Sequence, residues 1–166
     1  MRVYLPLTMS MLRSALGEDA VSVIVATAVT PALREWYVEG DQDELEYAAT
    51  AAAARISLSL IGAESLLGSD DVPLRVVLAA EVPDGAATPS AADGRAVVRL
   101  AAPVPWRQVE SALVDDRSAA EDVRAGALAL AAADAGDEDA GFAVDSVQDH
   151  ELGWYAVQEL ADLVAP

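Results

Sequence analysis

Cysteine, lysine and asparagine are all absent from this chain of 166 residues, and histidine occurs once, as His150. Without cysteine there is no disulfide, no thiolate nucleophile and no thiolate metal site, which suits a reducing compartment. Without lysine there is no Schiff base and no lysine to complete a phosphate-binding loop. A single imidazole excludes any site that needs two within one chain. The joint loss of the three residue types is what a GC-rich coding bias produces. No GxSxG, GxGxxG, GxxxxGKS/T or HExxH motif occurs either, so the signatures of nucleophile elbows, dinucleotide folds, P-loops and zinc proteases are missing.

Long apolar runs are missing too. The longest, Val23 to Val29 and Ala125 to Ala133, fall far short of the ~20 residues needed to span a bilayer. Residues Met1 to Thr8 hold too short an apolar run for a secretory signal, and no small-residue cleavage site follows them. The expected setting is the cytoplasm, without membrane contact.

Positive charge is scarce and unevenly placed. All ten basic residues are arginines at or before Arg124, while residues 125–166 carry nine acids and no base, half of the formal net charge of −18. Such a field repels phosphate backbones and anionic membranes and attracts cationic surfaces or metal ions. The arginines are scattered singly and never cluster with aromatic residues, so direct nucleic-acid binding is not expected.

What the chain does have is 54% hydrophobic residues, enough to argue against disorder despite the charge. Its length fits a single domain spanning residues 1–166. Arg2 to Leu7 reads as a strand, followed by Thr8 as N-cap of a helix from Met9 to Leu16 that stops at Gly17. Val21 to Val29 reads as a strand buried on both faces. Thr30-Pro31 opens a helix whose Leu33, Trp36 and Tyr37 are expected to face inward, ending at Gly40. Asp41 and Glu44 form a capping-box pattern for a long helix to about Leu60, broken by Gly62.

Leu74 to Val82 and Ala96 to Leu100 read as strands of one antiparallel hairpin, joined by a flexible Pro/Gly/Ala-rich loop over residues 83–95. Val109 to Val114 fits a strand somewhat better than a helix. Ser118 and Glu121 suggest a second capping box and an alanine-rich helix ending near Gly136. Asp137 to His150 reads as an acidic loop with at most one helical turn, and Leu152 to Val157 as a last strand. The sum is an α+β fold: a mixed, largely antiparallel sheet with helices packed on it, a two-layer sandwich of which the ferredoxin-like arrangement is one form.

Candidate chemistry is thin. His150 lies between Asp149 and Glu151, carboxylates that favour an imidazolium if they sit close in space, so these three are the candidates for acid–base catalysis. The plainer reading is a solvated histidine in an acidic loop. Nothing in the spacing of the eleven serines singles one out. Asp137, Glu138 and Asp139, Asp115-Asp116 and the acids from Asp41 to Glu44 could offer oxygens to Mg²⁺ or Ca²⁺. The first group lacks the glycine and twelfth-position glutamate of an EF-hand, so no metal site and no cofactor is assigned. Arg34 and Trp36 are the remaining binding candidates.

The opening Met1 to Thr8, the stretch Thr30 to Tyr37 with Gly40-Asp41 and Glu44 to Ala49, and the closing Asp149 to Leu152 with Trp154-Tyr155-Ala156 resemble an uncharacterised protein family, a domain of unknown function, of GC-rich Gram-positive bacteria. The resemblance spans nearly the whole chain. It implies a small bacterial cytoplasmic protein and carries neither an activity nor a catalytic residue across. The functional expectation is a non-catalytic binding or regulatory module that presents its acidic surface to a basic protein, with homodimerisation through the Ala119–Ala133 helix or a sheet edge open. The alternative is a carboxylate-based hydrolase using His150, with or without a divalent cation. A third reading takes the acidity as a solubility or salt-tolerance trait of the proteome.

Overall fold

Every strand pairing is antiparallel in the computed structural model, which describes residues 1–166. In chain order the elements are β1 (Arg2–Leu7), α1 (Met9–Leu16), β2 (Ala20–Val21), β3 (Val25–Thr27), α2 (Pro31–Trp36), α3 (Gln42–Leu66), β4 (Val76–Glu81) and β5 (Ala87–Pro89). There follow β6 (Val97–Leu100), β7 (Val104–Pro105), β8 (Val109–Val114), α4 (Ala120–Asp134), α5 (Glu138–Gln148), β9 (Gly153–Ala156) and α6 (Leu160–Leu163). Seven strands form one sheet in the order β5-β6-β3-β1-β4-β8-β9, and β2 pairs with β7 in a separate short ladder. The fold is α+β, with helices packed on an antiparallel sheet. No helix is long and apolar enough to cross a membrane.

Alternation along the central strands feeds two cores. Val3, Leu5 and Leu7 of β1 and Val76, Leu78 and Ala80 of β4 pack with Leu12 of α1, Leu160 of α6 and Val21 and Val104 of the short ladder. Tyr4, Val77 and Ala79 point the other way and pack with Leu33, Leu45, Ala49 and Ala53. The sheet is therefore covered on both sides, one layer more than a two-layer sandwich. β3 and β4 both run antiparallel to β1 and flank it, so the α3 connection makes a split β-α-β unit. The chain does not interleave a second such unit, as a ferredoxin-like fold would, because β8 and β9, joined through α4 and α5, are direct neighbours.

Two buried hydroxyls fix α3 on the sheet. Thr27 Oγ1 donates to Ala49 O at 2.6 Å, and Ser57 Oγ donates to Leu7 O at 2.6 Å while accepting from Val76 N at 3.2 Å. The alanines between them let the helix lie close. On its far side Leu58 and Ile61 pack with Val123, Ala127 and Leu130 of α4 and Val144 and Val147 of α5. The alanine-rich α4 thus uses its apolar stripe within the chain.

Several boundaries depart from the sequence expectation. Val21 to Val29 is two strands, because Val21 joins Val104 in the short ladder and the chain crosses to the main sheet through an exposed Ile24. The expected hairpin between β4 and β6 does not form: β4 lies between β1 and β8, and β6 between β3 and β5. Part of the segment 83–95 is itself the edge strand β5. Gly62 does not stop α3, which runs on to Leu66; a Cβ there would lie 2.7 Å from Ala127 O, so glycine serves the close crossing of α4. The Ser118–Glu121 box is replaced by Asp116, whose carboxylate accepts from Ser118 N at 2.9 Å ahead of a single 3₁₀ turn. Asp137 is the N-cap of an eleven-residue helix, Glu138–Gln148, in place of the expected loop.

The turn between β5 and β6 offers a test of local electrostatics. Ser90 Oγ donates to Asp93 Oδ2 at 2.6 Å, and Arg99 Nε and Nη2 donate to the same oxygen at 3.0 and 2.7 Å. Together these hold the Asp93 carboxyl below its ordinary value of 3.8, the Ser90 hydrogen bond most of all. A carboxyl held low in the folded state stabilises the fold above its unfolded pKa, and that contribution is lost as pH falls through the folded value. An NMR titration is expected to place the Asp93 midpoint below 3.8 and to move it back up in Ser90→Ala. An unshifted wild-type midpoint contradicts the reading.

Candidate functional site

The capping box at the start of α3 forms as expected: Glu44 N donates to Asp41 Oδ1 at 2.9 Å, and Asp41 N donates to Glu44 Oε2 at 3.1 Å. Ahead of it, α2 has Thr30 as N-cap, accepting from Leu33 N at 3.1 Å, and Pro31 in its first turn. Thr30 Oγ1 also donates to Arg95 O, which brings Arg95 alongside α2. The helix ends at Trp36 after six residues, so only Leu33 reaches the core. Trp36 and Tyr37 do not face inward; they are 61% and 42% exposed. The Arg95 guanidinium carbon lies 3.7 Å from the centroid of the Trp36 ring, a cation–π contact.

Between α2 and α3 lies a groove of about 1070 Å³, with Leu33, Ala48, Ala52 and Ala96 in its lining and Trp36, Tyr37, Glu39, Asp43, Tyr47 and Arg95 around them. Tyr47 is 77% exposed. Neither Glu39 nor Asp43 takes part in a side-chain hydrogen bond or an ion pair. Arg34 is not part of this lining; its Nη2 donates to Gln42 Oε1 at 3.1 Å and ties α2 to the first turn of α3.

Past Tyr47, Ala51 and Ala52 a second recess of about 610 Å³ opens between α3, α5 and the end of β8. Its wall is apolar at Leu58, Leu113, Val144, Val147 and Leu152, with Arg55, Arg75, His150 and Glu151 among the polar groups. His150 Nε2 lies 2.7 Å from Asp122 Oδ2, so its partner comes from α4 and not from its sequence neighbours. Glu151 shares the recess, whereas Asp149 is the exposed C-cap of α5. Thr50 supplies the only Ser or Thr hydroxyl of the lining, and it donates to Glu46 O at 2.8 Å. His150 therefore faces no free aliphatic hydroxyl that could act as a nucleophile.

The acids singled out in the sequence serve mainly as caps. Asp137 Oδ1 accepts from Ala140 N at 2.8 Å, and Glu138 and Asp139 lie in the first turn of α5, where negative charge suits the helix dipole. No three His, Asp or Glu side chains converge in a metal-binding set. Asp115 is the one buried acid, and sequence reasoning missed its role. Its Oδ2 accepts from Arg75 N and Nε, both at 2.8 Å, and its Oδ1 accepts from Arg75 Nη2 at 2.7 Å. Arg75 Nη2 also donates to His150 O at 2.9 Å. The signal available was a basic residue opening one apolar run and an acidic residue closing another, which means little until β4 and β8 are known to be neighbours.

Comparison with curated proteins and with solved structures finds no match. The model of a family of unknown function, DUF6912, matches residues 1–164, a span that holds the whole sheet and both recesses, and the chain belongs to that family.

Proposed function

We propose that this chain is a non-catalytic binding module of the bacterial cytoplasm that holds a basic segment of a partner protein in the groove between α2 and α3. The observation that carries the reading is the exposure of Trp36 and Tyr47 in one groove with the unpaired carboxylates of Glu39 and Asp43. Exposed aromatic residues grouped around a concave surface mark interaction sites more than isolated apolar side chains do. Arg95 on the face of Trp36 illustrates the contact an incoming arginine could make with these rings. The net charge of −18 favours encounter with a cationic partner and makes the association salt-dependent. The bacterial and cytoplasmic setting draws on the lack of cysteine and on the coding bias. The hydrolase alternative has less support, since His150 is occupied by Asp122 at 2.7 Å.

A fluorescent dodecapeptide of alternating arginine and leucine is a suitable probe. Trp36→Ala combined with Tyr47→Ala is expected to weaken its binding at least tenfold at fixed salt, about 1.4 kcal/mol. Asp162→Asn, far along the chain from the groove residues, is expected to change it little. Equal binding by the double variant removes the groove from the reading, and affinity indifferent to salt removes the basic partner.

A further inference from the structure

Arg75, in the lining of the second recess, has one guanidinium nitrogen without an acceptor in the chain. Arg75 has a side chain only 7% exposed, locked by two hydrogen bonds from Nε and Nη2 to Asp115 and a further one from Nη2 to His150 O. Its Nη1 makes no hydrogen bond within the protein. No buried side-chain nitrogen or oxygen in the chain is without a partner, so Nη1 is reached from outside, and Arg75 lines the recess. A volume of about 610 Å³ falls within the roughly 300–1,000 Å³ of small-molecule sites, which pair apolar walls with a few placed polar groups.

We propose that this recess binds a small uncharged molecule in which a carbonyl oxygen is carried on an apolar ring, with that oxygen accepting from Arg75 Nη1 and the ring lying against Leu113, Val147 and Leu152. A guanidinium nitrogen can only donate, so the ligand must supply an acceptor. Local charge argues against an anion. Arg55 pairs with Asp134, Arg75 with Asp115 and His150 with Asp122, and Glu151 adds a carboxylate without a partner. Three cations with His150 protonated face four carboxylates, so no positive charge is left over, and the chain as a whole carries −18. The inference goes beyond the groove reading and stands independently of it.

The test is an NMR titration of the full chain, following the Arg75 Nε–H signal and the methyl groups of Leu113, Val147 and Leu152. The probes are benzamide, nicotinamide and acetophenone, against the matched anions benzoate and nicotinate. At least one neutral probe is expected to give saturable shifts at those groups in the millimolar range, at least fivefold tighter than either carboxylate. Gln148→Trp, an exposed position in the recess lining, is expected to abolish the shifts without lowering Tm. The double variant Arg75→Met/Asp115→Leu, which removes the donor and its counter-charge together, is expected to weaken binding at least fivefold; if it does not fold, Gln148→Trp decides. No saturable shift, equal or tighter binding of the carboxylates, shifts centred on Trp36, or full retention in Gln148→Trp each overturns the proposal.

Discussion

Asp115→Ala is expected to cost about 3–5 kcal/mol of folding stability, the penalty for stripping one partner from a buried ion pair. The carboxylate receives three hydrogen bonds, one of them from the Arg75 backbone N–H, and its own backbone N–H donates to Arg75 O at 3.1 Å. The pair thus continues the β4–β8 ladder one step past Val76 and Val114. Alanine at 115 leaves a largely buried guanidinium without its counter-charge, held only by the Nη2 bond to His150 O, and the Arg75 amide N–H without its acceptor. For a domain stable by about 5–15 kcal/mol, a loss of this size approaches global unfolding. Urea denaturation of Asp115→Ala is the check, beside Arg75→Met/Asp115→Leu, which removes both charges and is expected to lose less. A single-variant cost under about 1 kcal/mol, the level of an exposed surface pair, sinks the argument.

Gly62→Ala is expected to destabilise, although helix propensity alone predicts a gain of about 1 kcal/mol. The new methyl carbon would lie 2.7 Å from Ala127 O and 3.3 Å from its carbonyl carbon. Both belong to the backbone of α4, so relief requires moving a helix and not a side chain. Overpacking of this kind costs about 1–3 kcal/mol, and the net change is a loss. Gly141, inside α5, is the matched control, because a Cβ there meets nothing within 4 Å; Gly141→Ala is expected to stabilise by about 0.5–1 kcal/mol. Opposite shifts in Tm for the two substitutions are the expected result. A stabilising Gly62→Ala would mean that α3 and α4 are less closely packed than described.

Local signals in the chain were legible where the forces are local. Thr8 caps α1, Gly17 ends it, and Asp41 and Glu44 form their box, because each depends on residues within one turn. The strands β1 and β4 were legible from their short apolar runs. Legibility failed where a distant segment decides the outcome. Asp137 to Gln148 buries only Val144 and Val147, and the place of Val147 is made by the missing side chain of Gly126, where a Cβ would run into Val147 Cγ2. Trp36 has the spacing of a core residue, yet it lies against Arg95, fifty-nine positions later in the chain, instead of the interior. In the candidate sites, Trp36, His150 and Glu151 were visible as residue types. Tyr47 carried no spacing that set it apart, and Arg75 gained meaning only from its partner on another strand.

The placement of β1 between β3 and β4 bears on how the molecule is reached from the unfolded chain. Of the strands in this sheet the central one is made before the others, and it cannot complete its pairing until Val76 to Glu81 have been made. Closing so long a loop before the reward of strand pairing arrives slows folding, since native contacts far apart in sequence set the rate. In the interval, Val3, Leu5 and Leu7 are an unsheltered sticky edge, and the dense negative charge of the chain helps keep neighbouring nascent copies apart.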